Sequence, residues 1–95
     1  MARLSWTEEA AESLRDIFDF IAQDRPRTAE RTIESIVNKV ASIAASPASG
    51  QRYPYAEGAD VHLLTYGHFR IAYELRDDHV IVLGVFHGLI FLPRR

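Results

Sequence analysis

Cysteine is absent from this chain, which excludes disulfides, thiolate zinc sites and thiol catalysis together. A chain without cysteine fits the reducing cytoplasm, where we expect it to work. Long apolar runs are missing as well. No stretch approaches the length that spans a bilayer, so no membrane association is expected. The opening "MARLSWTEEAAE" has no apolar run behind its one basic residue, so no secretory signal is expected either. Charge of one sign is missing too: 11 basic residues face 13 acidic ones, for a net charge of −2. Proteins that grip many phosphates usually carry a strong basic excess, although a local cluster remains compatible with this balance. Lysine is almost absent, with Lys39 the only one among the basic residues. Arginine suits bidentate or stacked contacts better than diffuse ones. Internal repeats and low-complexity tracts are lacking.

What remains is the make-up of one small globular domain over residues 1–95, with 47% hydrophobic residues. "ARLSW" sets Leu4 and Trp6 against Arg3 and Ser5 and reads as a strand. A helix follows. Thr7 can cap it, with Glu8 and Glu9 in the first turn, or Ser5 can cap it with Glu8 completing a capping box. Ala10, Leu14, Ile17, Phe18 and Ile21 recur at helical spacing. "AQDRPR" ends this helix, and Pro26 is well placed to open a second. Its apolar stripe is Ala29, Ile33, Ile36, Val37, Val40, Ile43 and Ala44, and it ends before Pro47. So short a connection predicts an antiparallel helix hairpin.

"SPASGQRYPYAEGA" (46–59) reads as a loop. From residue 60 the period changes to two. "DVHLLTY", "FRIAYEL" and "VIVLGVF" read as strands, separated by turns at Gly67 and at "RDDH". The expected fold is therefore α+β, in the order β-α-α-β-β-β, with an antiparallel sheet covered on one face by the helix hairpin.

With Asp77 and Asp78 as a two-residue turn, Arg76 lies opposite His79 and the pairing runs outward. Phe69, Ile71, Tyr73 and Leu75 then join Val80, Val82, Gly84 and Phe86 on the core face. The second face holds Arg70 opposite Val85 and His68 opposite His87, together with Ala72, Ile81 and Leu83. Both sides of "VIVLGVF" are apolar, so the pattern alone does not forbid a slip of one residue. A half-apolar second face edged with charge marks a partner surface.

Each polar candidate has a plain reading beside the functional one. Arg70 either spreads its stem over Val85 or contacts a partner. His87 either bonds backbone at a strand end or acts as a proton carrier, with His68 as its alternative. No acid or third histidine is spaced to complete a metal site with them. Arg52 lies in a loop, where contacts concentrate. Tyr53 and Tyr55 either stack on a base or pin that loop. Tyr73 is expected in the core with its hydroxyl satisfied.

"WTEEAAESLRDIFDFIA", the "SP" after the second helix, Gly50 and Arg52, then "FRIAYEL" and "VFHG", together resemble the ParE/RelE toxins of bacterial type II toxin–antitoxin operons, the plasmid stabilisation type. The resemblance covers nearly the whole chain. It implies the two-layer RelE-like fold, no cofactor, no metal, and a cognate antitoxin that wraps and silences the toxin, giving a toxin–antitoxin hetero-oligomer. Activity divides within the family. RelE-like members cut mRNA in the ribosome; ParE-like members poison DNA gyrase. Arg70 matches the arginine that the nucleases use on phosphate. The tail departs from theirs, with Leu89, Ile90, Phe91 and Leu92 where basic and tyrosine residues would stand. The favoured expectation is a ParE-like inhibitor of gyrase with no catalytic residue. Its target or antitoxin contacts would be Arg52, Arg70, Leu83, Val85, His87, Leu89, Phe91 and Arg94. The alternative is a ribosome-dependent mRNA endonuclease using Arg70, His87 and His68. A non-toxic member kept as a binding module is a third reading.

Overall fold

The computed structural model describes residues 2–87. Strand β1 (Arg3–Trp6) leads into helix α1 (Glu8–Ala22) and then helix α2 (Pro26–Ala45). Thr7 is the cap of α1: its Oγ1 accepts the Ala10 N–H at 3.0 Å, with Glu8 and Glu9 in the first turn. Ser5, the alternative cap, instead bonds His79 Nε2 at 2.7 Å. Pro26 stands at the start of α2, where its missing N–H costs nothing.

The expected loop 46–59 is more ordered than its composition suggests. Pro47–Ser49 forms one 3₁₀ turn and Gln51–Arg52 a two-residue strand, β2. Strands β3 (Asp60–Tyr66), β4 (Phe69–Arg76) and β5 (His79–His87) make the expected meander. Both hairpin turns are two residues long, and the first residue of each has a left-handed φ: 60° at Gly67 and 56° at Asp77. Glycine adopts this freely, and aspartate is among the few side chains that tolerate it.

The sheet has five strands in the order β1-β5-β4-β3-β2. β1 returns alongside β5 in parallel, pairing Arg3 with His79 and Trp6 with Val82. Both helices lie on one face. Ala10 and Ile17 of α1 and Ile36, Val40 and Ile43 of α2 bury against Ile71, Tyr73, Val80, Val82 and Val85. Val37 does not join the stripe assigned to α2 and is 41% exposed, because it lies a 100° step around the helix from Ile36. Among the described residues no helix is long and apolar enough to cross a membrane.

The expected pairing holds from the Asp77–Asp78 turn as far as Tyr73 and Val82. There β5 carries a β-bulge: Tyr73 pairs with Val82, but Ala72 pairs with Gly84, and Leu83 is the extra residue. Every later residue of β5 changes face relative to the expectation. Arg70 lies opposite Phe86, not Val85, and Phe69 rather than His68 lies opposite His87. Val85 and His87 therefore belong to the helix side, and Gly84 and Phe86 to the outer side.

Candidate functional site

The bulge divides the expected site between the two faces of the sheet. Val85, expected on the outer face, is a core residue at 3% exposure. His87 sits on the helix side, its ring 5.2 Å from Phe69 and 6.4 Å from Phe20. Arg70 lies on the outer face between Thr65 of β3 and Phe86 of β5. His68 is exposed in the tight turn after Gly67. Arg70 and His87 thus lie on opposite faces of the sheet, with His68 in the turn at the same end. Leu89, Phe91 and Arg94 lie outside the described residues.

On the outer face, Leu63, Ala72, Leu83 and Gly84 form a band across three strands, with Val61 and Ile81 beside it. Phe86 partly closes this band from within. A Cβ built on Gly84 would come 3.0 Å from Phe86 Cζ, so the phenyl ring lies flush against the glycine. Val61 and Ala72 are already buried, whereas Leu63, Ile81 and Leu83 stay half-buried. Among the described residues no helix packs on this face. Arg70 and Thr65 edge it at one end. At the other, Arg76 Nη2 bonds Glu74 Oε2 at 3.1 Å. The arrangement offers a partner an apolar strip with an arginine at its rim.

On the helix side, β1 stops at Trp6, so beyond Val82 the outer edge of β5 has no strand beside it among the described residues. Helix α1 runs there instead. Between the two lies an open cleft of about 440 Å³, lined by Ser13, Asp16, Ile17, Phe20, Val85, Phe86 and His87. Phe20 is 68% exposed on its rim, which is unusual for so large an apolar group. Three consecutive strand residues, an apolar floor, and a carboxylate and imidazole at the margin suit an extended or helical apolar segment rather than a small polar substrate. Phe20 was absent from the sequence-based candidates. Its signal was its place three residues after Ile17, on the flank of the apolar stripe.

The loop before β3 is held by a clasp that the sequence reading saw only in part. The Tyr73 hydroxyl donates to Pro47 O and accepts from Gly50 N, both at 2.8 Å. His62 stacks on the Tyr73 ring with 5.4 Å between centroids. His62 Nε2 lies 3.0 Å from Asp60 Oδ1, and its Nδ1 lies 3.3 Å from Gly50 O. Asp60 Oδ1 also meets Arg52 Nε at 3.5 Å. Arg52 is thereby tethered at the sheet edge while its side chain stays 65% exposed. Tyr53 and Tyr55 pack edge to face at 5.5 Å in the same loop.

The family described as the ParE toxin of type II toxin-antitoxin system, parDE, matches residues 4–89. Among solved structures, the chromosomal ParDE toxin–antitoxin system from P. aeruginosa superposes with a TM-score of 0.74 at 23% identity, covering 93% of this chain and 97% of that one. The RelBE2 toxin–antitoxin complex from Mycobacterium tuberculosis gives a TM-score of 0.70 at 20% identity, covering 90% and 96%. The isolated E. coli RelE toxin gives 0.64 at 16% identity, covering 97% and 89%. At these identities the likeness is one of fold. Curated proteins gave no match.

Proposed function

This chain belongs to the ParE toxin family of type II toxin–antitoxin systems, and we propose that it acts by occupying a protein target, DNA gyrase, rather than by cutting RNA. The observation that carries this reading is the separation of Arg70 from His87. A ribonuclease of this size needs a cation on the scissile phosphate and a general base within hydrogen-bond reach of the attacking hydroxyl. Here the arginine lies on the outer face, and the imidazole lies on the helix side between Phe20 and Phe69. The balanced charge, −2 overall, also favours a protein target over ribosomal RNA.

A cognate antitoxin is the second partner in this reading. The solved ParDE and RelBE2 structures are toxin–antitoxin systems of the same fold, and the α1–β5 cleft offers an apolar seat for an antitoxin segment. Phe20 is the anchor of that contact, and Asp16 and His87 are its polar rim. The outer strip with Arg70 is then left for the target, while Arg52 stands on the edge strand β2, paired with His62 on the helix side.

Two measurements test the proposal. Induced expression in a bacterial host should reduce supercoiling of a reporter plasmid while a pulse of labelled amino acid is still incorporated. Lost translation with intact supercoiling would replace the gyrase reading with the ribonuclease one, and normal growth at every expression level would leave a non-toxic binding module. Phe20→Ser, at a side chain this exposed, should leave unfolding unchanged and weaken antitoxin binding at least about tenfold, as expected of an aromatic anchor. Unchanged binding would remove the cleft from the interface.

A further inference from the structure

We propose that Ser13, together with Thr7, holds the β-bulge of β5 in place, making Ser13 a positioning residue that sets Val85 and His87 on the helix side of the sheet. The problem it solves is visible in "VIVLGVF", which is apolar on both sides. Hydrophobic patterning penalises a one-residue slip only weakly in such a strand. Without the bulge the ladder would run on to place Gly84 and Phe86 towards the helices, with Val85 beside Arg70.

Helix α1 breaks the tie with hydrogen bonds. The bulge falls where β1 ends, immediately after the Trp6–Val82 pair. At that point β5 loses its strand neighbour, and its outward backbone groups must find other partners. Thr7 supplies the first of these. Its N–H donates to Val82 O at 3.1 Å, and its Oγ1 donates to the same oxygen at 2.9 Å, with Leu83 O at 3.4 Å. Ser13 supplies the next. Its Oγ gives its proton to Ala10 O at 2.8 Å, which turns a lone pair towards the Val85 N–H at 3.0 Å. One hydroxyl caps α1 and the other lies six residues on. They hold outward backbone groups of Val82 and Val85, three residues apart, where a regular strand turns the same edge outward only at every second residue. Only a strand with the extra residue fits both.

The outer face supports the same register independently. The Phe86 ring lies flush on Gly84, which requires both to point away from the helices. Val85, turned inward, completes the core and the floor of the cleft. His87 is set between Phe20 and Phe69. The effect on antitoxin binding rests on the cleft being its seat; the register itself does not.

The test compares the full chain with Ser13→Ala, with a deletion of Leu83, and with both changes combined. Nuclear magnetic resonance reads the register without reference to any partner, through the Val85 amide exchange rate and the ring-to-ring cross-peaks of His87 with Phe20 and Phe69. Ser13→Ala should speed Val85 exchange roughly tenfold relative to Ile71 and weaken those cross-peaks, the effect expected for losing one hydrogen bond at a strand edge. Deleting Leu83 makes the ladder regular while keeping Val85 and His87 on their present face, so in that background Ser13→Ala should no longer move the His87 cross-peaks. Unchanged His87 cross-peaks in Ser13→Ala would overturn the proposal even if Val85 exchange is faster, because the lost acceptor alone speeds that exchange. So would equal disruption of the cross-peaks with and without Leu83. Should the deletion fail to fold, the Ser13→Ala spectra alone decide. If register and cross-peaks respond as stated but antitoxin affinity does not, the reading of the cleft fails while the role of Ser13 stands.

Discussion

Tyr73→Phe is a clean perturbation because it removes one oxygen and leaves the ring. Tyr73 has no exposed surface, so the phenyl ring keeps its packing and its stack on His62. What is lost is the hydroxyl that bonds Pro47 O and Gly50 N at 2.8 Å each. Each such bond contributes about 1 kcal/mol net, and a buried donor left without an acceptor costs about 1–3 kcal/mol more. Gly50 is buried, so its N–H bears that penalty; Pro47 is only half-buried, so its carbonyl can recover water. The sum is about 2–4 kcal/mol, a large share of the roughly 5–15 kcal/mol that stabilises a domain. At roughly 4–8 °C per kcal/mol for a chain of this size, the melting midpoint should fall by about 8–32 °C. Thermal and urea unfolding followed by circular dichroism measure this, with the urea slope expected to stay constant. A fall of less than about 4 °C, equivalent to under 1 kcal/mol, would refute the claim that this hydroxyl anchors the loop.

Two further outcomes follow from the same region. Gly50→Ala should destabilise by about 1–3 kcal/mol in urea unfolding, as overpacking does, because its Cβ would stand 2.6 Å from the Tyr73 hydroxyl and 3.0 Å from Leu63 O. Asp60→Asn should change stability by less than about 1 kcal/mol, since exposed ion pairs contribute little. The Arg52–Asp60 pair is 65% and 48% exposed, and asparagine keeps an oxygen for His62; a larger loss in urea unfolding would mean that the carboxylate charge itself holds the clasp.

Helices were legible in the sequence because their apolar residues repeat at 3.6 and their ends carry chemistry: Thr7 and the two glutamates at one start, Pro26 at the other. The bounds of β3 were legible because period-two alternation gives way to Gly67. The two-residue Asp77–Asp78 turn and the first four pairs of the β4–β5 ladder followed from loop length alone. Membership of a toxin family was legible in the succession of these elements with Gly50, Arg52 and the closing strands, and the match over residues 4–89 agrees with it.

Local pattern could not carry the reading beyond Val82. With apolar side chains on both sides of β5, moving the register by one residue changes little in the burial that patterning senses. The decision fell to hydroxyls of α1 that stand more than 70 residues away in sequence. Likewise the 3₁₀ turn, strand β2 and the seat of Arg52 depend on Tyr73 reaching back over 23 residues to Gly50. Composition and periodicity determined which segments become helix and strand and which broad surfaces turn inward. Tertiary structure alone decided that Arg70 and His87 occupy opposite faces, because hydrogen bonds between distant segments discriminate a single residue of register where hydrophobic burial does not.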